Sequence, residues 1–328
     1  MTTTPSHDQG VVRDLAEFLE IPLEDVVTIL DKAVSGGETT IENERAWFEN
    51  RLRPNTVFID ESGYSKMCVD ALKTVQNIAG TDYGSSRQRD LVQKWADTTR
   101  GYLGEVGFQK LLQDKYQIES KLDHEQGDLA DYLPLDIHEI KKPGESWRAP
   151  RKKVGIKATK WNGIWLDIAG AQFHHSDMHI LVKVGAGQDH LVGYMKSLSV
   201  FKDKILQRGR ALGHLTDAES DILYDSLPSF KPIPAYVCGF VEREDDFSSL
   251  QYTGKTINHR NNSRSFEIAS WKGRYYPQAK QQVMGRENVT AEIKFKQIGN
   301  FSHDDMYLFN TGNLKWSEDD WRRVIESF

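Results

Sequence analysis

The segment that decides the predicted fold is residues 136–168, DIHEIKKPGESWRAPRKKVGIKATKWNGIWLDI. Its two ends carry runs of apolar and β-branched residues, and the middle is polar, basic and contains Pro143, Gly144 and Pro150. Such a pattern is typical of a β-hairpin followed by a third strand. We therefore predict strands over Leu135–Ile140, Lys153–Thr159 and Ile164–Ile168.

The same segment places acidic and basic side chains on neighbouring predicted strands. Asp136, Glu139, Lys141 and Lys157 all lie within it. Carboxylates can hold a divalent cation, which neutralises phosphate charge and activates water, and a lysine can orient the nucleophile or stabilise charge in the transition state. These residue types on adjacent strands therefore predict metal-assisted hydrolysis of a phosphodiester bond.

The rest of the chain alternates helical and strand patterns. Apolar residues at helical spacing predict a pair of short helices in Val11–Val34 and either one long helix or two abutting helices in Arg87–Tyr116. Further predicted elements are strands at Met178–Val184 and Ala235–Val241 and helices at Met195–Leu206 and Asp217–Leu227. We expect an α/β (α+β) fold with a central mixed β-sheet flanked by helices. The predicted regions are N-terminal helices (1–90), a core (91–245) and a mixed β region (246–328).

Composition excludes several classes of protein. The 328 residues are 38% hydrophobic and 27% charged, with a mean hydropathy of -0.58. No apolar run is long enough to cross a bilayer, and the first residues lack the apolar core of a secretory signal. Cys68 and Cys238 have no spacing typical of a disulfide framework or zinc site. These features predict a cytoplasmic protein that has no membrane partner.

Two stretches of the sequence, Lys141–Lys160 (the first basic stretch) and Lys255–Lys280 (the second), are rich in lysine and arginine, although the net charge of the chain is -6. The distribution of charge matters more than its sum for binding to phosphates. In the second stretch, basic residues alternate with amides and aromatic rings, which suits contacts to both phosphates and bases. Our candidates for DNA contact are Arg148, Arg151, Lys152, Lys153, Arg260, Asn261, Arg264 and Arg274. The alternative for each stretch is a solvated charged surface.

The order helix, hairpin, strand, strand, helix, strand over residues 102–242 resembles the core of the PD-(D/E)XK nuclease superfamily, and in particular type II restriction endonucleases. Those enzymes carry an acid on the first core helix, an Asp at the first hairpin strand and an acid-x-Lys triplet on the second. The resemblance implies Mg²⁺-dependent, sequence-specific cleavage of double-stranded DNA by a homodimer, with a cognate DNA methyltransferase as genetic partner.

Two registers of the motif compete. In the favoured one, Asp136 is the metal-binding aspartate and Lys157 is the lysine, in the triplet GIK. Gly155 then stands at the acidic position, so one ligand is missing, and Glu105 on the long helix or Asp167 could replace it. The resemblance assigns metal binding to Asp136 with Glu105 or Asp167, and transition-state support to Lys157.

The second register uses Glu139 and Lys141, which form a complete acid-x-Lys triplet. Strand alternation places these two side chains on one face. Its aspartate would be Asp128 or Asp131, in a turn-like segment. Two other functions stay open: a non-catalytic DNA-binding or regulatory protein, and a repair or modification-dependent nuclease with the same core.

Overall fold

The computed structural model describes residues 7–75, 90–123, 135–247, 251–258, 264–284, 292–298, 301 and 305–328. Within these residues, no helix has both the length and the apolar composition needed to cross a membrane. The described chain is a mixture of helices and mixed β-sheets. The predicted α+β class is therefore confirmed.

Along the chain, helices lie before, between and after the strands. In chain order they are α1 (Gln9–Leu19), α2 (Leu23–Ser35), α3 (Glu44–Trp47), α4 (Glu61–Thr74), α5 (Leu91–Tyr116), α6 (Gly170–Phe173), α7 (Gln188–Ser197), α8 (Gln207–Ala211), α9 (Asp217–Ser226), α10 (Pro277–Met284) and α11 (Glu318–Glu326). Short π-helical turns, Phe48–Leu52 and Phe201–Leu206, continue into neighbouring helical residues.

The strands form two main sheets and one hairpin. They are β1 (Thr56–Ile59), β2 (Glu119–Leu122), β3 (Ile137–Lys141), β4 (Val154–Lys160), β5 (Trp165–Ala169), β6 (Met178–Val184), β7 (Ile233–Glu242), β8 (Gln251–Asn258), β9 (Arg264–Tyr275), β10 (Glu292–Phe295) and β11 (Met306–Asn310). We call the sheet β1-β7-β6-β4 the central sheet and the sheet β10-β9-β11-β5, with β8 on β9, the second sheet.

The central sheet is mixed, as predicted. Strand β4 runs parallel to β6, whereas β7 is antiparallel to both β6 and β1. All seven residues of β6 are buried because both faces of this strand are covered. Strand β4 lies at one edge of the sheet, so its outer side is open to other groups.

Helix α5 lies directly on one face of the central sheet. A Cβ atom at Gly104 would be 2.6 Å from that of Ala158 on β4, and one at Gly107 would be 2.6 Å from that of Ala235 on β7. Glycine at these positions allows the helix backbone to approach the strands closely. The contact fixes the position of α5 relative to edge strand β4.

The opposite face of the central sheet packs against the second sheet and the N-terminal helices. Leu166 and Ile168 of β5 join Leu181 of β6 in this core, together with buried residues of α1 and α2. A third core lies on the far side of the second sheet around Trp271. The protein is therefore layered as helix α5, central sheet, second sheet and C-terminal elements.

Two details differ from the sequence prediction. Strand β3 pairs with β2, and it does not form a regular hairpin ladder with β4. Arg148 in the connecting loop instead pairs with Ile140 and closes this loop on itself. Strand β5 leaves the central sheet and pairs with β11, so β4 is followed by β6 as its direct neighbour.

The predicted regions share these cores. Region 1–90 supplies β1 to the central sheet, and region 246–328 supplies α11, whose Trp321 is buried beneath α5 with Phe108. The boundaries at 90 and 245 therefore do not separate independent packing units.

Candidate active site at the edge of the central sheet

Asp136 lies where strand β3 diverges from strand β4. Its backbone N–H donates to the carbonyl of Val154 at 3.2 Å, and its carboxylate accepts a hydrogen bond from the backbone N–H of Ile156. The side chain thus takes the place of the next ladder bond at the edge of β4. This contact fixes the Asp136 carboxylate against the strand, one residue before Lys157.

Glu105 is on the side of α5 that faces this divergence. Residues four apart lie on the same side of a helix, and Glu105 is four residues from both Gly101 and Gln109. The Gln109 amide donates to the carbonyl of Ser120 on β2, whereas Gly101 borders a cleft beside β4. Glu105 is half-buried and lies on the same side of α5 as Gly101 and Gln109.

Lys157 projects from the face of β4 opposite to α5. Its neighbours Ile156 and Ala158 pack against the core beneath α5, so strand alternation turns Lys157 the other way. Its ammonium group donates to the side-chain oxygen of Gln172 on α6 at 2.9 Å. The lysine is half-buried, and this amide holds it without neutralising its charge.

Gly155 has a steric reason to lack a side chain. A Cβ atom there would be 2.9 Å from Nδ1 of His179 and 3.0 Å from the hydroxyl of Ser176. His179 is buried, stacks on Phe173 and bonds through Nε2 to the Phe173 carbonyl at 3.1 Å. The imidazole therefore fills the space that an acid at position 155 would need.

Burial also sets the charge of His179. Desolvation lowers its pKa from 6.5 to about 4, although the bond to the Phe173 carbonyl opposes this shift. The ring is therefore neutral at pH 7, with the proton on Nε2 donating to that carbonyl. Within the described residues, Nδ1 has no hydrogen-bond partner.

A polar cleft continues from this site along the edge of β4. Its volume is about 510 Å³, and its walls come from α5, the end of β4 and the turn after β10. Three cations, Lys32, Arg100 and Lys160, line it together with one acid, Asp97. We call this feature the basic cleft.

The three cations of the basic cleft differ in their contacts. Arg100 pairs with Asp97 at 3.1 Å, and its Nε has no hydrogen-bond partner within the described residues. Lys32 donates to the side chain of Gln297 at 2.8 Å, and Lys160 is exposed. These groups provide positive charge immediately beyond Lys157.

The second register has a different environment. Glu139 pairs with Lys121 at 2.5 Å, and Lys141 pairs with Glu119 at 2.9 Å, which makes a cross-strand ladder on β2 and β3. The ion pair with Lys121 lowers the pKa of Glu139. Its candidate aspartates, Asp128 and Asp131, lie outside the described residues.

Asp167 is separated from the Asp136 divergence. On β5, its neighbours Leu166 and Ile168 pack toward the central sheet, so Asp167 lies on the opposite face of the second sheet. It is exposed and stands opposite Leu308 of β11. The structure therefore brings Asp136 and Lys157 to one strand edge but does not bring Asp167 there.

The predicted DNA-contact residues of the first basic stretch divide into two pairs. Arg148 donates to the main-chain oxygen of Phe328 at 2.9 Å, and Lys152 pairs with buried Glu242 at 2.7 Å. These two side chains attach the loop to the C-terminal helix and to β7. Arg151 and Lys153 are exposed.

In the second basic stretch, Arg274 forms a bidentate ion pair with Asp305, in which Nε and Nη2 donate to the two carboxylate oxygens at 2.9 and 2.7 Å. This contact raises the pKa of Arg274, and the pair is about half exposed. Arg260 and Asn261 lie outside the described residues, as does the side chain of Arg264.

The donor set suits a hard cation. Among the described residues, no three His, Cys, Asp or Glu side chains form a group that could hold a metal ion. Mg²⁺ usually keeps several waters and binds through one or two carboxylates together with substrate phosphates. Asp136 and Glu105 are the two carboxylates that would serve as such ligands.

Sequence reasoning missed Arg100 and Lys32 and gave Lys160 no role in the site. Arg100 precedes Glu105 by five residues on α5, and Lys32 belongs to α2, far away in the chain. The only sequence signal was Lys160, at the end of the strand that carries Lys157.

Comparisons of the chain with protein-family models, curated proteins and solved structures found no match.

Proposed function

We propose that the protein is a Mg²⁺-dependent endonuclease that cleaves double-stranded DNA at a specific sequence, in the manner of type II restriction enzymes. The observation that carries this proposal is the position of Asp136. Its carboxylate is fixed on the edge of β4, one residue before Lys157, and helix α5, which carries Glu105, packs on the same sheet. A metal-dependent nuclease needs such carboxylates and a lysine at an accessible strand edge.

The order of elements supports the same proposal. Helix α5 is followed by β2, β3 and β4, and a crossover through β5 and α6 leads to β6, which runs parallel to β4. This order along the chain follows the predicted order of elements, although β3 pairs with β2 and β5 pairs with β11.

Each residue has a chemical role in this proposal. Asp136 and Glu105 supply the hard oxygen ligands. Mg²⁺ bound there would neutralise phosphate charge and lower the pKa of a bound water. Lys157, oriented by Gln172, places a positive charge beside the scissile phosphate, where it positions water and stabilises the charge that develops.

The basic cleft would hold the DNA backbone next to the site. Lys32, Arg100 and Lys160 follow the edge of β4 away from Lys157, and phosphates bind such cations through charge and hydrogen bonds. The cleft therefore gives the substrate strand a path that starts at the reacting group.

Local contacts favour the first register over the second. Glu139 and Lys141 each have an opposite charge on β2 as an immediate partner, so metal or phosphate binding would have to break those pairs. Lys157 contacts a neutral amide, which leaves its charge available. We therefore assign the catalytic lysine to position 157.

The test is cleavage of plasmid and phage DNA, unmethylated and methylated, with and without Mg²⁺. Asp136→Asn and Lys157→Ala should each lower the cleavage rate at least about 100- to 1000-fold, as expected for loss of a group that stabilises transition-state charge. DNA affinity should stay within about tenfold, or 1.4 kcal/mol. Glu139→Gln and Lys141→Ala are matched controls on the neighbouring strand and should remain active.

The possible results separate the alternatives. Inactive Glu139 and Lys141 variants together with an active Asp136→Asn would establish the second register. Cleavage of methylated DNA only would identify a modification-dependent nuclease. DNA binding without cleavage under any condition would refute the enzyme proposal and favour a regulatory DNA-binding protein.

A further inference from the structure

The segment between β6 and β7 is long and mostly helical, and its first helix, α7, is hydrogen-bonded to α4. Helix α7 is held on α4 by hydrogen bonds from Tyr194 to Ser65 at 2.7 Å and from Ser197 to Glu61 at 2.5 Å. From the end of α7, residues 197–226 form a segment that we call the helical protrusion. It includes α8 and α9, and 21 of its residues are exposed.

The helical protrusion exposes large apolar side chains. Five of them are between 45 and 69% exposed: Leu198, Ile205, Leu212, Ile222 and Leu223. Ile205 lies in the π-helical turn Phe201–Leu206, and Leu212 directly follows α8. Single exposed apolar residues are ordinary, but a group concentrated in one projection is typical of an interaction surface.

The two halves of the helical protrusion carry opposite charge. Residues 201–211 contain Lys202, Lys204, Arg208 and Arg210, with Asp203 as the single acid. Residues 217–226 contain Asp217, Glu219, Asp221 and Asp225, without a base. Within one chain the halves already attract each other, since Arg210 pairs with Asp217 at 3.0 Å.

We propose that the helical protrusion is the homodimer interface, and that it binds the same protrusion of a second copy around a two-fold axis. A two-fold interface must be self-complementary, because each surface meets its own copy. The basic half of one protomer can face the acidic half of the other, while the apolar side chains fill the centre. Two such helical pairs would pack as a four-helix arrangement.

The charge pattern argues against other occupants. The four acids of residues 217–226 would repel DNA phosphates and anionic lipid surfaces, whereas a second copy offers bases to pair with them. This inference goes beyond the proposed function and does not require catalysis.

The test is the solution mass of the full chain, without DNA or metal, measured by light scattering coupled to size exclusion. The wild type should have twice the chain mass of 37.5 kDa at micromolar concentration. Lys204→Glu combined with Arg208→Glu should give a monomer, because both interacting halves are then acidic. Asp221→Lys combined with Asp225→Lys should do the same with two basic halves.

The decisive measurement is the equimolar mixture of the two charge-reversed proteins. It should return to twice the chain mass, since an acidic surface then meets a basic one. Ile222→Ser tests the apolar centre without altering charge and should weaken dimerisation at least tenfold. The control is a charge swap at an exposed pair on α5, Lys110→Glu with Asp114→Lys, which should stay dimeric.

Unfolding temperatures of all variants should show that each is folded. A monomeric wild type, charge-reversed variants that remain dimeric, or a mixture that stays monomeric would each overturn the proposal. A dimer that cleaves no DNA would refute the proposed function alone, and an active monomer would refute the interface alone.

Discussion

Two lysines on the same face of the central sheet have opposite surroundings. Lys157 lies on edge strand β4 and Lys183 on interior strand β6, with Thr159 of β4 paired to Lys183 in the parallel register. Both project away from α5 by strand alternation. Their difference shows how position within one sheet decides whether a lysine stabilises the fold or remains available to a substrate.

Lys183 is enclosed in an ion cluster. Its ammonium group pairs with Glu38 at 2.5 Å, and both side chains are almost fully buried. The Glu38 carboxylate also accepts from the hydroxyl of Tyr236 at 3.0 Å and from the indole of Trp47 at 3.2 Å. Burial alone would raise the pKa of Glu38, but Lys183 and Arg51 lower it to about 2.

Lys157, in contrast, is only half-buried and does not belong to a buried ion cluster of this kind. The ammonium group of Lys157 donates to the neutral side chain of Gln172, and the basic cleft begins at the next residue of β4, Ala158. Desolvation of a charge is costly unless the charge is paired, so an unneutralised lysine is tolerated only at the accessible edge. The availability of Lys157 follows from its place on the outermost strand.

Loss of Lys183 should have the largest effect on stability. Lys183→Met leaves the Glu38 carboxylate buried without its main partner, which should cost about 3–5 kcal/mol of unfolding free energy. Lys157→Met removes one accessible hydrogen bond and should cost about 1 kcal/mol or less. Denaturant unfolding of both variants measures this contrast.

The control is the double variant Lys183→Met with Glu38→Gln, which removes the uncompensated charge. It should be more stable than Lys183→Met alone. Equal losses of stability in the Lys157 and Lys183 variants would mean that the two lysines do not differ as their surroundings indicate.

His179 should make the folded state sensitive to mild acid. Its folded pKa of about 4 lies below the usual 6.5, so the unfolded chain binds the proton more readily between these values. The full stability contribution is present above pH 6.5 and is lost as the pH falls towards 4, by roughly 3 kcal/mol. Unfolding free energies measured across this range in His179→Phe should show a shallower decline than in the wild type.

His175 provides the matched control for this measurement. His175 is exposed and lies four residues before His179, so His175→Phe makes the same substitution at a histidine that is not buried. Glu38, with a pKa near 2, loses its contribution only at pH values below its usual 4.5. An identical slope in His179→Phe and wild type would show that His179 titrates in the same range in both states.

The sequence predicted those elements whose signal is local. The segment Met178–Val184, which is mostly apolar and β-branched, predicted β6 with its observed bounds, and the predicted helical segment Arg87–Tyr116 contains α5 as one helix. Helix α9 also begins at the predicted residue, Asp217. Apolar periodicity determines such elements without reference to their partners.

Pairing was less predictable because partners are distant in the chain. Alternation in Trp165–Ala169 indicates a strand, but it cannot distinguish pairing with β4 from the observed pairing with β11. Glu38 and Lys183 are 145 residues apart, so no local pattern joins them.

Within the candidate site, the proximity of Asp136 to the strand that carries Lys157 was predictable because one short segment carries both residues. The steric reason for a glycine at position 155 could not be predicted from the sequence. It depends on His179 of the neighbouring strand, which fills the space beside the glycine. Arg100 and Lys32 reach the basic cleft from two separate helices, and therefore only the folded chain brings them together.

The smallest expected effect belongs to Gln172, which orients Lys157. Gln172→Ala removes the 2.9 Å contact and should lower the DNA cleavage rate about tenfold, the equivalent of 1.4 kcal/mol, because the lysine then samples other rotamers. Gln172→Glu keeps an acceptor oxygen and should restore part of the loss. DNA affinity should not change, which separates orientation from substrate binding, and exposed Gln113→Ala on α5 is the control. A wild-type cleavage rate in Gln172→Ala would show that the contact is only a surface hydrogen bond, and Lys157 would then owe its position to strand β4 alone.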